Sequence, residues 1–111
     1  MADGSAGQAV RVVLVTAPNT AVAEQLVRTL VAEDLAACGN IVPQITSIYR
    51  WKGEVQQDTE VLIVLKTTKD RAAALIRRVP ELHPYEVPEV IVLPVEAGHE
   101  PYLDWVRGAG Q

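Results

Sequence analysis

Apolar residues recur along the chain with two different periods, and these periods predict its secondary structure. Residues 10–16 (VRVVLVT) are β-branched and apolar on both faces, which is typical of a buried central strand. From Val22 to Leu35 the apolar residues recur at helical spacing, and Gly39 follows them. We therefore predict a first helix that is closed by this glycine.

The middle of the chain predicts a long β-hairpin. Two extended stretches, residues 41–51 and 55–67, flank a turn at residues 52–54. At about 3.3 Å per residue, arms of roughly 11 to 13 residues reach ~40 Å, whereas a domain of this length has a diameter of roughly 35 Å. We therefore predict that the tip of the hairpin projects beyond the core. A three-residue loop gives these expected cross-strand pairs: Trp51 with Val55, Ile45 with Val61, and Ile41 with Leu65.

The remainder of the chain predicts a second helix, a strand and a short final helix. Thr67 and Asp70 resemble a capping box at the start of the second helix. Residues 83–88 (HPYEVP) contain two prolines, which restrict the residues before them to extended conformations. Residues 89–95 form the last strand, and Pro101 suits the first turn of the final helix. The expected buried stripe of the second helix is Ala72, Leu75, Ile76 and Val79.

This order of elements predicts an α+β fold. A β-α-β-β-α-β chain with an extra C-terminal helix is typical of a ferredoxin-like sandwich, in which two helices cover one face of a four-stranded antiparallel sheet. Right-handed connections place the third strand beside the first, so the second and fourth strands lie at the edges. Pro43 and Pro94 fall in these edge strands, where proline is tolerated. We interpret residues 10–111 as this domain and residues 1–9 as a disordered leader.

The aromatic residues near the hairpin tip predict self-association. Tyr49 and Trp51 lie close to the projecting turn, where a neighbouring subunit is the simplest cover for them. The two edge strands also offer unpaired backbone groups to a second copy. In the alternative, the C-terminal helix folds back over the tip with Tyr102, Leu103 and Trp105. The residues alone leave both arrangements open.

Composition and charge exclude several classes of function. The formal net charge of −4 argues against a protein that binds a nucleic-acid backbone. The central strands carry no aromatic residues on which RNA bases could stack, and the chain has no phenylalanine. No apolar run approaches the ~18 residues of a membrane span, and the N-terminus has no secretory signal. With Cys38 as the single cysteine, we predict a cytoplasmic protein without nucleic-acid or membrane partners.

The sequence also lacks the usual signatures of an enzyme. Ser5 and Ser47, the only serines, do not lie in a nucleophile elbow. Cys38 lies in an apolar stretch that would keep its thiol unreactive, so we interpret it as a packing residue. The glycines are isolated or terminal and form no phosphate-binding loop. We therefore expect a binding protein without catalytic residues.

Two kinds of binding site remain open. His83 lies in the proline-flanked segment near Glu86 and Glu89, and imidazole with carboxylate suits copper, zinc or nickel. In the alternative, His83 only orders the turn through a backbone hydrogen bond.

The second candidate is a cleft between subunits. Lys66, Tyr85 and Glu60 are the polar residues that could converge there on an anionic or zwitterionic ligand. For Lys66 the competing interpretation is a structural ion pair with a carboxylate.

Five segments carry a resemblance to a known family. They are VVLVTAP, EDLAACGNI, SIYRWKGEV, EVLIVLKTT and HPYEVPEVIVLPV, and in this order they resemble the CutA family of divalent-cation-tolerance proteins over residues 10–107. The resemblance implies a PII-like homotrimer, in which hairpin strands add to neighbouring sheets. It also implies a link to copper and other divalent cations, and a core fold shared with nitrogen-regulatory signalling trimers.

The sequence departs from some members of that family at two positions. Val15 stands where some members carry a cysteine, and Leu82 where some carry a second histidine, so only His83 is retained. We therefore expect weak copper binding that is lost as His83 protonates below about pH 6.5. The alternative function is a PII-like small-molecule-sensing or protein-interaction module without a tight metal site.

Overall fold

The computed structural model describes residues 7–108, and its elements follow the predicted order. They are strand β1 (Val10–Ala17), helix α1 (Thr20–Ala32), strand β2 (Cys38–Trp51), strand β3 (Glu54–Thr68), helix α2 (Lys69–Leu82), strand β4 (Val90–Pro94) and helix α3 (Glu100–Arg107). The sheet is antiparallel with the order β2-β3-β1-β4. This confirms the α+β fold and places β2 and β4 at the edges.

One face of the sheet and the two long helices form the main core. Val13 and Val15 of β1 are buried together with Leu65 of β3. Leu26 of α1 and Leu75 of α2 lie against them. Of the expected stripe of α2, Ala72, Leu75 and Val79 are buried, whereas Ile76 is exposed. The prediction for Ile76 was wrong because α2 covers the sheet with a narrower face than its apolar residues span.

Helix α1 ends earlier than the apolar spacing predicts. It stops at Ala32, and Asp34 adopts a left-handed conformation with φ 60° that turns the chain towards β2. Gly39 lies inside β2 instead of closing the helix. A Cβ atom on Gly39 would approach Leu65 Cδ2 to 2.8 Å and Val27 Cγ1 to 2.9 Å. The glycine therefore permits the close packing of α1 on the sheet.

The hairpin turn contains two residues, not three. Lys52 and Gly53 have φ values of 52° and 82°, the left-handed geometry of the tight turns that match the twist of paired strands. Trp51 consequently pairs with Glu54, and the predicted pair with Val55 was wrong. The other two predicted pairs were also wrong, because Ile45 lies opposite Glu60 and Ile41 opposite Ile63.

A β-bulge interrupts β2 between Val42 and Ile45. Val42 pairs with Leu62 and Ile45 with Glu60, so three steps along β2 match two steps along β3. Gln44 has a φ of 60° at this point, and Pro43 beside it donates no hydrogen bond. Because side chains alternate between faces, the extra residue exchanges the faces of every following side chain. Odd-numbered residues after the bulge share the face that even-numbered residues occupy before it.

The hairpin projects from the domain as predicted. The molecule measures 50 × 25 × 24 Å, and its long axis exceeds the diameter of roughly 35 Å that a compact chain of this length would have. Leu103 and Val106 of α3 pack on Val10 and Ala37, at the end of β3 opposite to the tip. The alternative in which α3 covers the hairpin tip is therefore wrong. No helix within residues 7–108 is long and apolar enough to cross a membrane.

Part of the predicted leader is attached to the domain. The carbonyl of Ala9 accepts a hydrogen bond from Lys69 N at 2.8 Å, and that of Gln8 accepts one from Arg107 Nε at 3.0 Å. The prediction of a disordered leader is therefore wrong for these two residues. Residues 1–6, like residues 109–111, lie outside the described part of the chain.

The bulge generates a prediction about stability. Deletion of Gln44 would turn one half of β2 onto the wrong face of the sheet, and we expect a loss of more than about 2 kcal/mol, the upper range for a single change. Gln44→Gly, which accepts the positive φ without strain, should stay within about 1 kcal/mol of the wild type. Denaturant unfolding at one fixed protein concentration measures both. Equal stability of the deletion variant and the wild type would show that the bulge is dispensable.

Candidate functional site

A cleft of about 540 Å³ lies between the hairpin and the segment that connects α2 to β4. This volume falls within the usual range for small-molecule sites, roughly 300–1,000 Å³. Its lining combines apolar and hydroxyl-bearing residues with four carboxylates and three aromatic rings. The carboxylates are Asp58, Glu60, Glu86 and Glu89, and the rings are Tyr49, Trp51 and Tyr85.

The bulge in β2 brings the hairpin side chains to the cleft. After it, Ser47 lies opposite Asp58 and Tyr49 opposite Gln56, on the face that carries Glu60. Without the extra residue, Ser47 and Tyr49 would lie on the other face. The aromatic part of the cleft therefore depends on this one irregularity in the ladder.

His83 secures the wall of the cleft and is not free to bind a ligand. It is 7% exposed, and its Nε2–H donates to the carbonyl of Thr16 at 2.7 Å. Its Nδ1 accepts a hydrogen bond from Tyr85 N at 3.1 Å. Since both ring nitrogens are engaged with the backbone, the geometry matches the turn-ordering role that the sequence left open.

The predicted metal site is not formed within one chain. Glu86 and Glu89 line the cleft, whereas His83 bonds the backbone behind it. Within the described part of the chain, no three histidine, cysteine, aspartate or glutamate side chains lie close enough together to hold a metal ion. Proximity in the sequence misled the prediction, because the proline-restricted segment points these side chains in different directions.

Glu60 and Tyr85 meet as predicted, but Lys66 does not join them. The Tyr85 hydroxyl donates to Glu60 Oε2 at 2.7 Å, and Glu60 is 8% exposed. Lys66 lies six residues further along β3, roughly 20 Å away, and its Nζ donates to Asn40 Oδ1. The predicted ion pair of Lys66 with a carboxylate is therefore not formed, and its contact is with a neutral amide.

The charge of the cleft is opposite to what an anionic ligand requires. Its lining contains no lysine or arginine. Among residues 7–108, the arginines that form ion pairs are Arg71, Arg78 and Arg107, and none of them contacts the four cleft carboxylates. A concave surface with unneutralised carboxylates concentrates negative potential and attracts cations. The predicted anionic or zwitterionic ligand at a cleft between subunits gains no support from this lining, to which Lys66 does not belong.

Sequence reasoning missed Asp58 as part of this site. Asp58 lies two residues before Glu60 on one strand, so the two carboxylates share a face, and this spacing could have revealed the pair. Asp58 also contacts another residue of the cleft, because the Tyr49 hydroxyl donates to the Asp58 carboxylate. Tyr49 and Trp51 were assigned only to subunit contacts, yet both line the cleft.

The acidic surroundings hold the tyrosines in the protonated form. Burial is the largest cause that raises the pKa of Tyr85 far above its usual value. The hydrogen bond to Glu60 and the negative charge of Glu60 raise this pKa further. The hydrogen bond to Asp58 is the main cause that raises the pKa of Tyr49. Outside the cleft, the contact with the half-buried Cys38, whose Sγ lies 3.6 Å from the Tyr102 hydroxyl, raises the pKa of Tyr102. The two cleft tyrosines therefore act as hydrogen-bond donors at neutral pH.

Comparison with known proteins gives consistent matches over most of the chain. A family model described as CutA1 divalent ion tolerance protein matches residues 11–109. The human protein named Protein CutA is 55% identical over 93 residues, which cover 84% of this chain and 52% of that protein. The chain thus spans about half the length of this relative. The Divalent-cation tolerance protein CutA of Thermus thermophilus is 53% identical over 96 residues, which cover 86% of this chain and 93% of that protein.

Solved structures with the same fold accompany these relatives. The structure titled Divalent cation tolerance protein (Cut A1) from Thermus thermophilus has a TM-score of 0.88 at 51% identity, and covers 90% of this chain and 97% of its own. The periplasmic divalent cation tolerance protein CutA from Archaeoglobus fulgidus has a TM-score of 0.87 at 32% identity, with 90% and 97% coverage. The fold and the family resemblance seen in the sequence are thereby confirmed.

The raised tyrosine pKa values predict an alkaline transition. All three tyrosines of the sequence have a folded-state pKa above the unfolded value of about 10. Their stabilising contribution is therefore complete below pH ~10 and is lost as the pH rises further. Ultraviolet titration should show phenolate forming near pH 10 in denaturant and at higher pH in the folded protein. Tyr85→Phe should remove the most delayed component, whereas ionisation of the folded wild type near pH 10 would contradict the described hydrogen bonds.

Proposed function

The chain belongs to the CutA1 divalent ion tolerance family, and on this basis we propose that it works as a homotrimeric, non-catalytic protein that binds divalent cations, copper among them, in the service of cation tolerance. The observation that carries this proposal is the acidic cleft beside the projecting hairpin. This cleft supplies carboxylate ligands, and we expect a second subunit to complete its walls.

The sheet face opposite to the two long helices supports self-assembly. Strand alternation places Val12, Leu14 and Val64 on this face together with Ile91 and Leu93. Ile91 and Leu93 are exposed, as are two apolar residues at the hairpin, Ile48 at 66% and Val55 at 70%. Apolar surface of this extent in a single chain is typical of an interface.

The edge strands support a closed ring of subunits. β2 and β4 each have one side without a partner strand in the described chain. Pairing between unlike edges of successive copies is a heterologous contact, which gives a ring when the rotation closes. In a trimer of this kind the projecting hairpin of each subunit reaches its neighbour. The same contact would bring a second subunit to the rim of the cleft.

Divalent cations are proposed to bind through the cleft carboxylates. Asp58 and Glu60 on β3, with Glu86 and Glu89 across the cleft, supply oxygen ligands of the kind that divalent cations accept. Within residues 7–108, no three of these side chains lie close enough together to hold a metal ion. We therefore expect weak binding that a second subunit completes. His83 contributes to the shape of the cleft through the backbone of Thr16.

A second function is favoured by the size of the cleft. A volume of about 540 Å³ is far larger than a metal ion needs and suits a small organic molecule. This observation supports a PII-like module that senses a small molecule or a protein partner, with metal binding as a minor property. The cytoplasm remains the proposed compartment, because the chain has one cysteine and therefore no internal disulfide.

Assembly gives the first prediction from this proposal. Light scattering at micromolar concentration should give a mass of three chains of 12.1 kDa each. Val55→Asp should reduce this mass, because it places a charge in apolar contact surface. Val31→Asp, the same change on an exposed valine of α1, is the matched control and should remain trimeric. A monomer mass for the wild type would rule out the proposed assembly.

Copper binding gives the second prediction. Calorimetric titration at pH 7.5 should show weak binding that Glu60→Gln or Asp58→Asn reduces. His83→Ala should lose about 1–3 kcal/mol of stability, because the Thr16 carbonyl and the Tyr85 N–H lose their partner, and it should weaken copper binding less than Glu60→Gln does. If His83→Ala retains the fold but no longer binds copper, His83 is a metal ligand and the proposed carboxylate site is wrong.

A further inference from the structure

We infer that the cleft binds a linear aliphatic polyamine, an organic cation whose ammonium groups meet the four carboxylates and whose methylene chain lies against the aromatic rings. The inference deepens the proposed function and rests on the role of the cleft as the binding site. It names a ligand of a different chemical class from the metal ion.

Glu60 favours a positively charged occupant of the cleft. Glu60 as a residue is 8% exposed, and it lines the cleft. Tyr85 donates to one carboxylate oxygen at 2.7 Å, and no donor from residues 7–108 reaches the other. No side-chain oxygen of the described residues is both fully buried and without a partner, so this second oxygen is open to the cleft, where it can accept from an ammonium group.

The remaining carboxylates extend this charge along the cleft. Asp58 lies two residues from Glu60 on β3, while Glu86 and Glu89 lie on the opposite wall. None of the four forms an ion pair with a lysine, an arginine or a histidine of the described chain. Separated carboxylates on two walls match several ammonium groups on one chain better than a single cation. Each ammonium supplies three donors to the carboxylate oxygens.

The walls between the carboxylates suit the carbon chain of such a ligand. Trp51, Tyr49 and Tyr85 present rings, and tryptophan is the strongest side chain for cation–π contact. Ile48 and Val87 add aliphatic surface. Methylene groups pack on surfaces of this kind while their charged ends reach polar partners, as lysine side chains do in proteins. A hydrated metal ion would leave this apolar surface in contact with water.

The competing occupant is a cationic side chain of a second copy. Arg50 and Lys52 lie on the projecting hairpin and form no ion pair within residues 7–108. If assembly inserts such a side chain into a neighbouring cleft, the assembled protein has no room for a polyamine. The assembled protein must therefore be the material tested.

Tryptophan fluorescence provides a local readout. The chain has two tryptophans, and the exposed Trp105 lies outside the cleft, so Trp105→Phe leaves Trp51 as the single reporter. Spermidine added to this variant at low ionic strength should change the Trp51 emission saturably, and calorimetry should show the same affinity. Added salt should weaken binding, because the contacts are electrostatic. Glutamate, as the anionic control, should not bind.

Charge variants identify the site. Glu60→Gln in the Trp105→Phe background should raise the Kd for spermidine about tenfold, the size of one charge-assisted hydrogen bond. Asp58→Asn provides a second test that leaves the Tyr85–Glu60 contact intact. Glu24→Gln on α1 removes the same charge from an exposed site outside the cleft and should leave the Kd unchanged.

Two outcomes would overturn the inference. No spermidine binding by the assembled protein would mean that the cleft is closed or filled by a neighbouring side chain. Equal weakening by Glu60→Gln and Glu24→Gln would mean that spermidine responds only to net charge. Light scattering and copper calorimetry on the same samples separate these failures from those of the proposed function. A trimer that binds copper but not spermidine refutes the polyamine and retains the cation-binding role.

Discussion

The ladder between β2 and β3 has one residue more on β2 than on β3, and the cleft depends on this inequality. Before Gln44, β2 follows the alternation that packs Gly39 against α1. After it, the same strand directs Ser47, Tyr49 and Trp51 towards Asp58 and Glu60. A regular strand could satisfy only one of these requirements, because its side chains alternate without interruption. The left-handed Gln44 is thus the local irregularity that joins the packed domain to the surface of the cleft.

The second constraint is the attachment of the segment after α2. This segment has no regular secondary structure, so its position depends on side chains and not on a backbone ladder. His83 bonds to the Thr16 carbonyl at one ring nitrogen and to the Tyr85 amide at the other. Tyr85 then reaches Glu60 across the cleft. One buried imidazole therefore connects β1, the segment itself and β3, and a residue suited to metal chemistry acts as structural support.

Most of the fold could be predicted from the sequence, but the geometry of the site could not. Strand and helix periods gave the order of elements, and right-handed connections gave the strand order. The length of the turn and the position of the bulge were not predicted, because they depend on a positive φ at Lys52 and Gln44, and neither residue type indicates one. The negative charge of the cleft was not predicted, because it depends on how far the lysines and arginines lie from the carboxylates. Lys66 is close to Glu60 in the chain yet lies roughly 20 Å further along the strand, beside Asn40.

The two-residue turn and the bulge together restrict how the length of the hairpin can vary among related chains. A single residue added to one arm beyond Gln44 would repeat the exchange of faces and remove Tyr49 and Trp51 from the cleft. Residues added in equal numbers to both arms preserve the ladder, and additions of two to each arm also preserve the facing of the tip. Additions of two residues to each arm can therefore lengthen the hairpin without altering the cleft. The length of the hairpin and the chemistry of the cleft are then free to diverge independently.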